Sequence, residues 1–402
     1  MTLSLSARVQ RVTISANAAA RERTRALKAA GVDIIDLTIG EPDFDTPEHI
    51  KQAAYAAIAR GETKYAPIPG VAALRAAIQH KLLDENQLTF TVDNIMVANG
   101  AKQVIFNAFS ATLNPGDEVI IPAPYWPTFP DAVSFNGGTP RIIPCHLEQG
   151  YKLQPDQLAA AITPDTRWLV LNNPGNPSGA IYSPQELEAL AAVLRQHPQV
   201  WIMLDELYEH ILFDGRQHRG LLNIAPDLQD RTLLAGGVSK TYAMTGWRIG
   251  YGAGPAALIK AMVVVQSQTS SGASSVSQAA ALAALEGGLA FLAPQQAAYQ
   301  QRRDKLVALL ADVPGLEVLA PEGAFFVFCR CAGLLGRVKP DGTRLESEAD
   351  VLGYLQESGV SGVGGSAYGL SPYFRLSIAS DEASVVEAGR RIVAACGRLT
   401  QG

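Results

Sequence analysis

The chain has 402 residues, 48% hydrophobic and 18% charged, with a formal net charge of −5, a balance that excludes a mainly disordered chain. It has no long basic run, which argues against nucleic acid as the main partner, and no stretch of eighteen uncharged apolar residues to support a membrane span. Four scattered cysteines (Cys145, Cys329, Cys331, Cys396) are too few for a disulfide framework, and the length exceeds what one hydrophobic core usually holds, so two domains are expected.

Near the start, Arg8, Arg11, Arg21, Arg23 and Arg25 face the single acid Glu22, a bias shared with organelle transit peptides. We read the segment instead as an N-terminal arm and helix of the mature fold, and the protein as cytoplasmic. Thr46 followed by Pro47 predicts a helix start, with a cap and a first-turn proline. Between residues 90 and 255, short apolar runs alternate with helix-like segments, the pattern of a mostly parallel sheet flanked by helices. Candidate strands are IMVAN (95–99), DEVIIP (117–122), RWLVLN (167–172), VWIMLD (200–205) and TLLAG (232–236). Ligands of such α/β sheets bind outside the carboxyl ends of the strands. Ser183, Pro184 and Glu186 form a capping box at another helix start. One long helix is expected over about 276–308, leading into a second domain with strands at GAFFVF (323–328) and FRLSIA (374–379). Alternation in AFFVFCRC sets Cys329 and Cys331 on one strand face, as packing groups. A closing helix runs from about 382. The expected boundaries are an arm and part of a small domain over 1–45, a large domain over 46–290 and a small domain over 291–402.

The richest run is SKTYAMTGWRIG (239–250). Lys240 follows an apolar run and two glycines, and Arg248 lies eight residues on. That suits an amine held against a carbonyl cofactor and an arginine for its phosphate, because lysine amines form Schiff bases with pyridoxal phosphate. NGAKQ (99–103) leaves a strand and opens a helix, where free amides and the helix dipole favour an anion. Within NNPGNPSG (172–179), Asn176 offers a hydrogen bond to the cofactor's phenolic oxygen, against the commoner use of such residues in ordinary turns. Asp205 ends an apolar run and suits a protonated ring nitrogen, while Tyr208 reaches the phenolic oxygen; the plain alternatives are a helix cap and a packed aromatic. Arg375, among apolar neighbours, suits either a carboxylate fork or a structural ion pair. Trp126 can stack on a cofactor ring or fill a core. The six histidines are scattered and Glu206 with His210 is only a helical pair, so no metal site is expected.

Taken together, these motifs resemble the fold type I pyridoxal phosphate enzymes, and within them the class I aminotransferases of the bacterial aspartate aminotransferase type. LTIGEPDFDTP (37–47), TKYAPIPG (63–70), NNPGNPSG, DELYEH (205–210) and SKTYAMTGWRIG occur in family order, over a resemblance running from about residue 5 to about residue 395. It implies an α/β fold whose large domain carries a mostly parallel seven-stranded sheet flanked by helices, with a smaller α+β domain beside it. It also implies pyridoxal 5′-phosphate as cofactor, with Lys240 as its covalent anchor and as the catalytic acid and base. By the same resemblance Asp205 pairs with the ring nitrogen, Asn176 and Tyr208 bind the phenolic oxygen, and Trp126 stacks on the ring. Gly100, Ala101, Lys102, Ser239 and Arg248 line the phosphate, and Tyr65 touches it from the neighbouring subunit of a homodimer. Gly40, Trp126, Asn176 and Arg375 face the substrate, with Gly40 and Arg375 taking its α-carboxylate.

The implied reaction transfers an amino group between an L-amino acid and a 2-oxo acid in two ping-pong halves, with Lys240 moving the α-proton. Some relatives read a distal carboxylate with a partner-subunit arginine, at the position of Ser267 here. The bacterial type uses a phosphate-loop lysine and an arm serine, which match Lys102 and Ser15. Asn17, Thr13 and Ile14 depart from that type's threonine, lysine and proline, and the Thr13 departure counts against prephenate. Aspartate and 2-oxoglutarate are therefore expected. The alternatives are aromatic, other neutral or prephenate/arogenate substrates, or a lyase on the same fold. GGVSKT (236–241) is a weak likeness to a nucleotide phosphate loop, without glycine directly before the lysine.

Overall fold

The computed structural model describes residues 4–402. Seven strands build the central sheet: β1 (Ile95–Ala98), β2 (Glu118–Ala123), β3 (Thr139–Pro144), β4 (Thr166–Asn172), β5 (Trp201–Asp205), β6 (Thr232–Gly237) and β7 (Gly250–Ala253). Their spatial order is β1–β7–β6–β5–β4–β2–β3. All neighbours are parallel except that β7 runs antiparallel to both β1 and β6. The central strands read as near-continuous apolar runs because helices cover both faces. Alternate residues feed opposite layers: Ile95, Val97, Ile202 and Leu204 pack with Leu187, Leu190 and Leu194, whereas Met96, Ala98 and Met203 pack with Val104, Ile105 and Ala108.

Helix α1 (Ala16–Ala29) is capped by Ser15, whose Oγ accepts the Ala18 amide at 3.4 Å. Helix α2 (Glu48–Ala59) begins where Thr46 and Pro47 predict, but Thr46 does not cap it. Its hydroxyl donates to the Ala243 carbonyl at 2.7 Å and accepts Trp247 Nε1–H at 3.1 Å, so a tie to the lysine loop displaces the local cap. Helix α3 (Ala101–Thr112) follows β1 directly. Helix α4 (Pro184–Arg195) carries the expected capping box: Ser183 Oγ accepts the Glu186 amide at 3.2 Å, and Glu186 Oε2 accepts the Ser183 amide at 2.7 Å.

The single helix expected over 276–308 is two, α5 (Ser275–Glu286) and α6 (Leu292–Ala311). Gly287 and Gly288 break it; Gly288 sits at φ +72°, a backbone conformation that a side chain disfavours. Beyond them an antiparallel sheet of β8 (Glu317–Val318), β9 (Phe326–Arg330), β10 (Val363–Gly364) and β11 (Tyr373–Ser377), in the order β10–β11–β9–β8, packs with α6 and the closing helix α7 (Glu382–Gly397). This second core centres on Phe325, Phe326, Phe374, Leu376 and Ile392. Ile35–Asp36 pairs in parallel with Val360–Ser361, which stitches the segment after α1 onto it. Cys329 lies on β9, but the strand stops at Arg330 and Cys331 opens a 3-10 turn, so the two do not share a strand face. All four cysteines are buried and free.

Candidate active site

A cavity of about 430 Å³ opens where the loops after β1, β2, β4, β5 and β6 converge, at the carboxyl ends of the parallel strands. Helix α1 contributes Asn17, Ala18 and Arg21; the segment after it gives Thr38, Gly40 and Glu41; Arg375 enters from β11. The sheet domain supplies Ala101, Lys102, Trp126, Asn172, Asn176, Asp205, Tyr208, Ser239, Lys240, Thr245 and Arg248.

Lys240 follows the buried strand β6, so its half-buried side chain is delivered to the cavity floor. Its Nζ donates to the Gly40 carbonyl at 2.5 Å and lies 5.8 Å from the Tyr208 ring centre. Burial lowers the amine's pKa to about 8; Glu41 and Asp205 resist the fall, while Arg375 and Arg248 add to it.

Asp205 ends β5 and is buried. Burial pushes its carboxyl up to about 7, against the pull of the Leu207 amide, which Oδ1 accepts at 3.3 Å, and of Lys240. Tyr208 is also buried, and burial raises its phenol above the ordinary range while Arg375 draws it back. Asn176 is fixed by its own amide, which donates to Asn172 Oδ1 at 2.7 Å, and its Oδ1 accepts Arg375 Nη1–H at 3.1 Å.

Arg375 is 1% exposed. Its Nη2 donates to the Thr38 carbonyl at 2.9 Å, its Nε has no partner, and its guanidinium lies 4.2 Å from the Phe326 ring and 5.2 Å from that of Tyr368. Among the described residues no carboxylate pairs with it. The alternative of a structural ion pair therefore falls away.

Gly100 precedes α3 at φ +81°, and a Cβ there would collide with the Arg248 guanidinium. Glycine thus lets a cation stand beside the first free amides of the helix, an arrangement suited to phosphate. Arg248, itself at φ +56°, donates to the Thr245 carbonyl at 3.0 Å and the Asn99 carbonyl at 3.2 Å. A Cβ on Gly250 would collide with the Ala101 amide, so β7 also packs tightly against this turn. Lys102 lies 4.9 Å from the Trp126 ring, and burial, then Arg248, lowers its pKa.

The structure thus brings Lys240, Asp205, Asn176, Tyr208, Ser239, Arg248, Gly40, Ala101, Lys102, Trp126 and Arg375 around one space, with Gly100 behind Arg248. Ser15 stays outside the lining, its hydroxyl used on the α1 cap. Tyr65 is 97% exposed on another surface, and Ser267 is half-buried on the helix Ala256–Thr269, outside the cavity lining. Sequence reasoning missed Arg21, Glu41, Thr38 and Thr245 as lining groups. Glu41 lies inside the quoted LTIGEPDFDTP, so that motif was the available signal, whereas Arg21 was read only as part of a basic N-terminus. Glu206 groups with Glu209 and His218 rather than with His210 alone, and Lys81 places its ammonium against Glu209.

Residues 32–392 match the family model for aminotransferase class I and II. The chain is 52% identical over 379 residues to an aspartate aminotransferase of Rhizobium meliloti, covering 94% of this chain and 92% of that protein. It is 49% identical over 397 residues to an aspartate/prephenate aminotransferase of Cereibacter sphaeroides, covering 98% and 99%. Among solved structures, the aspartate aminotransferase from Rhizobium meliloti superposes with a TM-score of 0.96 at 49% identity, over 99% of this chain and 100% of that one. The Thermus thermophilus aspartate aminotransferase with maleate gives 0.91 at 39% identity, over 98% and 100%. With a lysine, a buried carboxylate and a buried unpaired arginine around one cavity, and relatives of this closeness along almost its whole length, the chain belongs to the class I and II aminotransferases and is an aminotransferase.

Proposed function

We propose that this aminotransferase uses pyridoxal 5′-phosphate and moves the amino group between aspartate and 2-oxoglutarate. The observation that carries the reading is Arg375, a buried cation without a carboxylate of its own, in the same cavity as Lys240 and Asp205. A guanidinium fork matches a substrate α-carboxylate two-to-two.

The residues fit the cofactor. The Gly100 cradle beside Arg248 accepts no side chain, and the orphaned Nε of Arg375 and the carboxyl of Asp205, both buried, are groups that gain partners from a bound anion and a ring N–H. Lys240 would hold the cofactor covalently, Arg248, Ser239 and the first α3 amides its phosphate, Asp205 its ring nitrogen, Asn176 and Tyr208 its phenolic oxygen, and Trp126 its ring face. When bound, the group supplies an electron sink for the electrons left on the substrate's Cα. Arg375 orients the substrate by its carboxylate. Lys240 Nζ, freed once the incoming substrate amine has displaced it, would take the Cα proton and later return one. In the ligand-free fold burial lowers that amine to about 8, below an ordinary lysine and in the direction a proton acceptor needs.

Dicarboxylate choice is supported by Lys102, a further cation in the cavity, by the aspartate aminotransferases among its relatives, and by the maleate with the Thermus enzyme. Following cofactor absorbance while offering aspartate, glutamate, phenylalanine, alanine and arogenate separately tests it; aspartate should reduce the signal fastest. The arogenate arm decides the prephenate reading, which the name of the Cereibacter relative raises. Keto acid without aminated cofactor would indicate elimination instead. A homodimer with Tyr65 reaching the partner's site follows from the resemblance and is supported by Tyr65, Tyr55 and Ile58, large side chains that are each exposed on the single chain. Sedimentation at twice the chain mass is the expected result. No helix among the described residues is long and apolar enough to cross a membrane, and the resemblance favours a cytoplasmic enzyme.

A further inference from the structure

We propose that Arg21 is a specificity-determining residue that reads the distal carboxylate of a dicarboxylate substrate, an inference that rests on the aspartate reading above. Five cations line the cavity: Lys240, Arg248, Arg375, Lys102 and Arg21. The first three are assigned to the cofactor anchor, the phosphate and the α-carboxylate, which leaves Lys102 and Arg21. Arg21 lies one turn after Asn17 and Ala18 on α1, so these residues present one helix face to the cavity.

That face is fixed relative to the α-carboxylate arginine. Asn17 Oδ1 accepts the Tyr368 hydroxyl at 2.7 Å, and the Tyr368 ring lies 5.2 Å from the Arg375 guanidinium. Arg21 itself is held by one nitrogen only, Nη2 to Glu41 Oε1 at 2.7 Å, and its side chain is 59% exposed. Glu41 is a fixed post, because its other oxygen accepts the Thr245 hydroxyl at 2.8 Å. A guanidinium has five N–H donors, so a fork steadied by a single protein oxygen keeps donors for a second carboxylate. Ser15, the residue expected in this role, lies outside the cavity lining, with its Oγ accepting the Ala18 amide at the cap of the same helix.

The test compares Arg21→Gln, Arg21→Lys and Glu41→Gln holoenzymes. It reads half-reaction kinetics with aspartate and phenylalanine, and equilibrium binding of succinate and butyrate, probes with and without a second carboxylate. Arg21→Gln should raise KM for aspartate and weaken succinate by about ten- to a hundredfold, the range for a lost hydrogen bond to a charged group. Butyrate and phenylalanine should change by less than about twofold, within the error of such comparisons. Arg21→Lys should recover part of the loss, and Glu41→Gln should keep the preference for succinate over butyrate. If Arg21→Gln and Glu41→Gln weaken succinate and butyrate alike, Arg21 merely anchors α1 and the inference is overturned. A wild-type enzyme without preference for aspartate over phenylalanine overturns the substrate reading and this role together. A wild-type preference that survives Arg21→Gln overturns this role alone.

Discussion

Replacing Arg375 with methionine separates binding from stability. Two charge-assisted hydrogen bonds to a substrate carboxylate, at roughly 1.5 to 3 kcal/mol each, amount to about 3 to 6 kcal/mol of transition-state binding, or about 10² to 10⁴ in kcat/KM. The folded state should suffer much less. Without ligand the guanidinium is a buried cation with no carboxylate partner, so removing it relieves a desolvation penalty of several kcal/mol. The same change forfeits two hydrogen bonds, to Asn176 and Thr38, and two ring contacts, to Phe326 and Tyr368, at about 1 to 2 kcal/mol apiece. These contributions oppose one another, and the net change in unfolding free energy should stay within about 2 kcal/mol. Steady-state kinetics with aspartate and urea unfolding of the same preparation measure both numbers. Arg375→Lys, which keeps the charge but loses the fork, should fall between wild type and methionine in kcat/KM. A loss of less than about tenfold with the fold intact would refute the carboxylate role, since a single such hydrogen bond already exceeds it.

Lys240→Ala should lose at least about 10² to 10⁴ in turnover, the usual share of positioned proton transfer; borohydride treatment followed by peptide mass mapping should find an adduct at residue 240 in wild type and none in the variant, and an unimpaired variant would sink the assignment. Because burial lowers the Lys240 amine to about 8 in the ligand-free fold, the unfolded chain binds the extra proton from there up to an ordinary lysine pKa of about 10.4. Apoprotein stability should therefore rise with pH across that window relative to Lys240→Met, and parallel urea titrations of the two proteins would contradict the shift. Burial alone would raise Glu209, but Lys81, His210 and His218 overcome it and hold the carboxyl at about 2. Its stabilisation is present above the unfolded value of about 4.3 and is lost as pH falls toward 2. Lys81→Met removes the ammonium in direct contact with that carboxylate and should cost about 3 to 5 kcal/mol by urea unfolding at neutral pH. A cost below about 1 kcal/mol would mean that the pair behaves like an exposed one.

Short-range chemistry was legible from residues alone. The apolar runs of the central strands, the Ser183 capping box, the glycine turn before Ala101 and the carboxylate that ends β5 all depend on neighbours a few positions away, and the structure places them as read. Where reading failed, a distant partner competed with a local one. Thr46 has the composition of a cap, yet the Ala243 carbonyl and Trp247 take its hydroxyl from across the chain. The helical pattern of 276–308 hides a break, because alanine-rich sequence on both sides of Gly287 and Gly288 keeps the period while the backbone turns.

From its sequence alone this protein could be placed in its class by resemblance, while residue type and local spacing singled out Lys240 and the groups suited to a phosphate, a ring nitrogen and a carboxylate. Only the folded chain decided which of them share a space and which charges go unpaired. Lys240 meets Gly40 across 200 positions, Arg375 ends beside Thr38 with no acid in reach among the described residues, and α1 turns Arg21 rather than Ser15 toward the cavity. Those outcomes depend on burial and on the choice among competing partners, which are set when distant segments converge and which no stretch of neighbouring residues contains.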